Sequence, residues 1–232
     1  MSWADGRLCG FDVETTGAGQ EAARIVAVTI VFVGDGQPAD VTAALVDPGM
    51  EIPAEATAVH GITTERARSE GLKPVEAVRM IVDRLERAWG AGRPVIGFNI
   101  AYDLTVLDRE LRRHLGSGLN VTGPVVDPHV IDRALDRRKG KRTLEETCRH
   151  YKVRHETAHD ATQDALAAAR LAWRLARSYP AEVGDLTLAE LHRREMDWSR
   201  EWATRLNEYW RSQGKDNSID GSWPVRPYRA EN

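Results

Sequence analysis

Asp12-Val13-Glu14 stands near the start of the chain, Asp103 lies far downstream, and His159 and Asp164 follow with four residues between them. Four carboxylates and one imidazole match what a pair of divalent ions clamping a phosphodiester requires: several hard oxygen ligands and one group that takes a proton from water. Asp12 and Glu14 are two apart on a stretch that reads as a strand, so their side chains leave on one face and can reach one ion. Thr15-Thr16-Gly17 follows at once, a turn whose backbone donors and hydroxyls suit a sugar or phosphate end; the plainer reading is a polar strand end. Asp103 lies one helical turn after Asn99, and its helical neighbours Ile100 and Leu107 are apolar, which directs the carboxylate toward the core. A buried charge is costly unless paired, and a nearby metal would pair it; a capping or salt-bridged aspartate is the alternative. Phe98 is a base-stacking candidate or a core aromatic.

His159 and Asp164 constrain the backbone between them. Five residues along a continuous helix turn through about 500°, leaving the side chains roughly 140° apart. They converge only if His159 sits just before the helix or in its first turn, and Thr157 and Asp160 supply start signals for either boundary. The same stretch, His155-Glu156-Thr157-Ala158-His159, matches the zinc-protease pattern H-E-x-x-H. Three fixed positions match by chance in about 3% of chains this long, and the protease needs both histidines on one continuous helix. Lys152-Val153-Arg154 gives no such run, so the protease is disfavoured.

The elements that must position these groups are legible in outline. Leu8 to Val13, Arg24 to Val33 and Val41 to Val46 read as strands, with Gly34-Asp35-Gly36 turning the second into the third as part of an antiparallel meander. Pro74 opens an amphipathic helix with Val75, Val78, Val82, Leu85 and Trp89 on one face, closed by Gly90 and Gly92. Pro94-Val95-Ile96-Gly97 reads as a buried strand, followed by a helix striped by Ile100, Leu104, Leu107, Leu111 and Leu115. Val121 to Val126 is a further strand ending at Asp127, a residue read as a helix cap ahead of a supporting role at the site. Thr143 and Thr187 open capping-box helices, and alanine-rich Ala161 to Ala176 is helical between them. The expectation is an α/β sheet with an antiparallel start and parallel additions, flanked by helices.

Composition sets limits. The chain has 232 residues, 42% of them hydrophobic, and a formal charge of −3. That suffices for one globular core and neither advertises nor excludes nucleic acid. Arg133 to Arg142 carries six basic residues and one acidic, a local +5, and is either a phosphate-binding loop or a solvated one. Two cysteines, Cys9 and Cys148, suit buried positions and not a disulfide framework. No leader pattern or membrane-length apolar run is seen, so a cytoplasmic protein without membrane contact is expected. Composition shifts near Ser178, dividing a domain at 1–178 from a tryptophan-rich extension at 179–232. The extension reads as a helix from Leu188 to about Trp210 and an extended end. Its stripe of Trp198, Trp202, Leu206 and Tyr209 favours packing on the chain's own core over a homodimer or polymerase contact.

The ordered motifs Phe11-Asp12-Val13-Glu14-Thr15-Thr16-Gly17, Val59-His60-Gly61-Ile62-Thr63, Gly97-Phe98-Asn99-Ile100-Ala101-Tyr102-Asp103 and His159-Asp160-Ala161-Thr162-Gln163-Asp164-Ala165 resemble the DnaQ-like 3′-to-5′ exonucleases. The match is to the subgroup marked by three aspartates, a glutamate and a histidine, and runs from about Leu8 to Arg177. It implies a ribonuclease H-like fold with a five-stranded mixed sheet, and two divalent ions, Mg²⁺ or Mn²⁺. Asp12, Glu14 and Asp164 would hold one ion, Asp12 would bridge to the second, and Asp103 would hold the second. His159 would be the general base, an imidazole titrating near neutrality. Thr15, Thr16, Gly17, His60, Ile62, Phe98 and Asn99 would surround the terminal nucleotides of single-stranded nucleic acid. The resemblance implies release of nucleoside 5′-monophosphates from 3′ ends, with DNA taken ahead of RNA and repair as one setting. A catalytically silent binding module is the competing reading, and a missing ligand would be its sign; all five positions are filled.

Overall fold

The computed structural model describes residues 2–156 and 160–228. Strands β1 (Arg7–Thr15), β2 (Ile25–Gly34) and β3 (Gln37–Leu45) form the antiparallel meander. Asp35 and Gly36 both take positive φ, 52° and 75°, as a tight hairpin turn demands. Strands β4 (Val95–Ile96) and β5 (Val125–Val126) add in parallel, giving the order β3-β2-β1-β4-β5. The strand expected over Val121 to Val126 shrinks to its last two residues. Pro124 has no N–H to give to the ladder, so pairing with β4 begins at its carbonyl, which accepts the Val95 amide and also the Trp89 indole.

Helices α1 (Ala54–His60) and α2 (Thr64–Glu70) occupy a stretch that carries little sequence periodicity. Helix α3 (Pro74–Gly90) buries Val78, Ile81, Leu85 and Trp89, with Val75 and Val82 at the flanks of that face. Helices α4 (Ala101–Leu115), α5 (Pro128–Leu135), α6 (Leu144–Tyr151), α7 (Ala161–Ser178) and α8 (Leu188–Ser212) complete the set. Alternation along β1 divides the core. Cys9, Phe11 and Val13 join Ile81, Leu85, Leu104 and Leu107 on one side, and Leu8 joins the α7 alanines on the other. Buried Ala165, Ala167, Ala168, Ala169, Ala172 and Ala176 let α7 lie low on the sheet. Gly10 completes the approach, since a Cβ there would stand 2.5 Å from the Ala165 carbonyl oxygen.

The C-terminal segment packs on the chain itself. Helix α8 lies against α5 and β5, and Trp223 is buried in the same cluster as Leu85 and Leu107. The buried residues of α8 are Leu191, Glu195, Ser199 and Ala203, while Trp198, Trp202 and Leu206 are half-buried and Tyr209 is 58% exposed. The helix is thus turned by about one residue from the expected stripe, because Glu195 is drawn to the edge of β5, where its Oε1 accepts the Asp127 amide at 2.6 Å. Buried Arg109 clips the tail by donating to the carbonyls of Arg226 and Pro227. The basic stretch 133–142 is partly inward-facing. Arg138 and Arg142 both pair with fully buried Asp132, and Arg133 stacks on Trp202 with its guanidinium carbon 3.6 Å from the ring centroid. Arg137, Lys139 and Lys141 remain exposed. Both cysteines are buried and free. Among the described residues no helix is long and apolar enough to cross a membrane.

Candidate active site

The site forms at the C-terminal end of β1, where β4 has already ended and the sheet opens. Asp12 and Glu14 share the face of β1 toward α7, and Asp164 stands in the first turn of that helix. One carboxylate oxygen from each of the three lies within 4.8 Å of the others. The start of α7 is fixed by Asp160, whose Oδ1 accepts from the amides of Thr162 at 2.9 Å and Gln163 at 3.2 Å. Thr162 Oγ1 lies 3.2 Å from Thr29 Oγ1, and Thr29 is the β2 partner of Asp12.

Asp103 enters from the opposite side, on α4, with 5% of its surface exposed. Its Oδ1 accepts the Val13 amide at 3.1 Å. On β1, Cys9 donates to Pro94 and Val13 faces the same edge, but β4 stops at Ile96, so the Asp103 carboxylate replaces the missing strand as acceptor. Crowding of these acids has an electrostatic consequence. Burial, followed by the charges of Asp103, Asp164 and Glu14, holds the Asp12 carboxyl well above the usual range. Burial likewise raises Asp103, and burial with the nearby Asp164 and Asp160 pushes Glu14 up to about 7. Hard oxygen donors this close, and this short of positive charge, fit Mg²⁺ or Mn²⁺.

His155 is the group the sequence left unused. Its Nε2 lies 2.6 Å from Asp164 Oδ1, and its side chain is 6% exposed. His155 and Glu156 stand in an irregular stretch outside any helix, so the helical geometry that the zinc-protease pattern requires is not formed there. His159 lies outside the described residues, as do Thr157 and Ala158. Only the sequence pairing of an imidazole with a nearby aspartate could have pointed to His155, and that pattern was absorbed by the protease motif.

The turn after Glu14 is held from α4. The Tyr102 hydroxyl donates to the Gly17 carbonyl at 2.5 Å and lies 2.6 Å from Thr15 Oγ1. Thr16 is buried, and its Oγ1 accepts the Arg24 amide at 3.0 Å. Gly17 is exposed. His60 Nδ1 accepts the Ile62 amide at 3.1 Å at the end of α1, while Ile62 is buried with Val26, Ala27, Ile52 and Ala67. Ala27 is the β2 partner of Glu14, which brings this small cluster beside the acids. Phe98 stacks on His129 with centroids 5.0 Å apart. Asn99 is exposed and takes φ +61°, a left-handed corner that asparagine tolerates better than most side chains.

Asp127 caps α5 as expected, its Oδ1 accepting the His129 amide at 2.9 Å. It does more. The same oxygen accepts the Asn99 amide at 2.9 Å, and Oδ2 accepts the Ile100 amide at 3.1 Å. Burial pushes Asp127 up to about 6 despite these donors. The supporting role, second to the cap in the sequence reading, is thus filled as well; that residues 99 and 127 meet had no sequence signal, because it depends on the parallel pairing of β4 with β5.

The model of the exonuclease family, RNase_T, matches residues 9–172. Over 121 residues the chain is 36% identical to a DNA polymerase III subunit epsilon-like protein of Rhodobacter capsulatus, covering 50% of this chain and 16% of that protein. Exonuclease I of E. coli, solved with a dA16 oligonucleotide, superposes with a TM-score of 0.63 at 16% identity, covering 75% of this chain and 42% of that one. Exonuclease I of Methylocaldum szegediense gives a TM-score of 0.63 at 22% identity, covering 85% of this chain and 46% of that one. The chain therefore spans less than half the length of these relatives, and what it shares with the two solved structures is the ribonuclease H-like fold. With more than half of its residues inside the family's bounds and the acidic cluster at the expected end of the first strand, the chain belongs to the RNase_T exonucleases, in the DnaQ-like branch of the ribonuclease H-like superfamily.

Proposed function

We propose that this chain is a metal-dependent 3′-to-5′ exonuclease that releases nucleoside 5′-monophosphates from single-stranded nucleic acid, DNA ahead of RNA. The observation that carries this reading is the convergence of Asp12, Glu14 and Asp164 within 4.8 Å, with Asp103 locked to the Val13 amide beside them. Asp12, Glu14 and Asp164 would hold one divalent ion and Asp12 with Asp103 a second. When bound, such ions neutralise phosphate charge and stabilise the departing 3′ oxygen. The protein's own contribution is placement. His155 fixes the Asp164 carboxylate, Tyr102 orders the 15–17 turn, and the 98–100 corner offers Phe98 and Asn99 to the terminal nucleotides. His159 is assigned the proton from the attacking water on the strength of the family resemblance of the His159-Asp160-Ala161-Thr162-Gln163-Asp164 motif. Exonuclease I of E. coli has been solved with DNA oligonucleotides, which supports taking DNA first.

Of the partners expected for α8, packing within the chain is supported over a second copy, since its buried side faces α5 and β5. The epsilon-like name of the relative from Rhodobacter capsulatus supports association with a polymerase. The test uses matched single strands of DNA and RNA, labelled at the 5′ end, with Mg²⁺ or Mn²⁺. Wild type should shorten the labelled strand stepwise and release mononucleotides, faster on DNA. Equal turnover by Asp12→Ala overturns the metal reading, and loss of the 5′ label as the first product overturns the polarity.

A further inference from the structure

Strand β5 is the last strand on one side of the sheet, and its outward amides belong to alternate residues. Those amides do not meet another strand. The Val125 amide donates to Nδ1 of His192 at 3.1 Å and the Asp127 amide to Oε1 of Glu195 at 2.6 Å. His192 and Glu195 are three apart on α8, hence on one face, so the appended helix supplies two side chains where a sixth strand would supply two carbonyls. Glu195 has no surface exposure. A carboxyl group placed there is costly unless its position is used.

Its use is visible one bond further in. The Asp127 whose amide Glu195 holds is the residue whose carboxylate accepts both the Asn99 and Ile100 amides. That corner carries the left-handed Asn99 and opens α4, three residues before Asp103. The Ile100 carbonyl in turn accepts the Leu104 amide at 2.9 Å, so the first turn of α4 is hung from the corner. We propose that Glu195 is a positioning residue for the reaction: by accepting the Asp127 amide it fixes the carboxylate that builds the Asn99–Ile100 corner, and through the corner it sets Asp103 against β1. This rests on the nuclease reading of the site above. It makes α8 part of the catalytic architecture, with its first effect on the second ion's carboxylate.

Two substitutions separate acceptor from volume. Glu195→Gln keeps a carbonyl oxygen facing the Asp127 amide, and Glu195→Met keeps the length without it. Hydrogen exchange should show the Asn99 and Ile100 amides losing about tenfold protection in Glu195→Met, with β2 unchanged and Glu195→Gln matching wild type. The Mn²⁺ concentration for half-maximal turnover should rise about tenfold in Glu195→Met with little change in KM for the oligonucleotide, the range seen when a group supporting a metal ligand is lost. Unchanged protection and metal dependence in a folded Glu195→Met overturns the proposal, as does a Gln variant as impaired as Met. Should Met prevent folding, wild type decides: Asn99 and Ile100 must exchange through the same opening as the α8 amides, and exchange independent of α8 overturns it. Exchange needs no turnover, so a wild type inactive on every oligonucleotide sinks the nuclease reading alone.

Discussion

Gly10 and Ala165 touch backbone to backbone: a Cβ on Gly10 would fall 2.5 Å from the Ala165 carbonyl oxygen and 2.9 Å from Val31 Cγ1. Ala165 follows Asp164, and Gly10 stands two residues before Asp12 on the same face of β1. The absence of one methyl group therefore sets the distance between two of the three clustered carboxylates. Gly10→Ala should push α7 outward, cost about 1–3 kcal/mol of stability as overpacking does, and lower turnover at least about tenfold. Denaturant melts paired with the labelled-strand assay check it. A Gly10→Ala protein with wild-type turnover would separate the α7 approach from the site.

His155 and His159 should fail differently. His155→Ala removes the 2.6 Å partner of Asp164, and a supporting residue of this kind affects metal affinity or rate by about 10- to 100-fold, recoverable in part with excess Mn²⁺. His159→Ala should depress kcat by about 10²-fold or more at every Mn²⁺ concentration, since general-base loss is not repaired by metal. Metal titrations of both variants, read as kcat and half-saturation, distinguish them. A His155→Ala defect untouched by excess metal would contradict the positioning role.

Without metal the acidic cluster strains the fold in a pH-dependent way. Burial and the nearby Asp164 and Asp160 raise Glu14 from 4.5 to about 7, so the folded protein holds a proton the unfolded chain has lost. Stability from this group is fully present below about 4.5 and is lost as pH rises through about 7. Bound divalent metal should offset that loss. The rise in Tm on adding Mg²⁺ should therefore grow between pH 5 and 8, roughly tracking the ionisation of Glu14. Calorimetry across this range is the check, and a pH-independent increment would count against the cluster as the metal site.

Asp103→Asn should trade activity for stability. The amide oxygen still accepts the Val13 N–H, so the fold is kept, while a buried charge that burial disfavours is removed. Metal-free Tm should hold or rise, and turnover should fall by about 10²-fold or more through loss of a hard oxygen ligand. A drop in Tm would mean that the Asp103 charge is stabilising in the absence of metal.

The acidic part of the candidate site, Asp12, Glu14 and Asp164, was legible in the sequence. The period of two in Asp12 and Glu14 states a shared face, and of the two start signals at Thr157 and Asp160 it is Asp160 that caps α7, which begins at Ala161. The apolar periods of α3 and α4 and the caps at Thr143 and Thr187 are local matters and read directly, apart from Leu115, which ends the α4 stripe exposed. The shortness of strand 121–126 had a local sign in Pro124, which lacks an N–H, but that β4 would pair only with its last two residues is set by the sheet. Local chemistry could not show that Arg138 and Arg142 would turn inward on Asp132, since a basic run looks the same solvated or paired.

What the sequence by itself determined is the inventory of candidate ligands and the faces they occupy, because strand and helix periods are properties of the backbone. Only the tertiary structure decided which groups support them. His155 under Asp164, Asp127 under Asn99 and Ile100, and Glu195 under Asp127 are pairings of residues 9, 28, 27 and 68 apart, the Asp127 ones made by the parallel pairing of β4 with β5 and the Glu195 one by the covering of β5 by α8. Such contacts have no local signature: a buried polar group is satisfied by whatever donor the packing brings to it, and the packing is set by the whole chain.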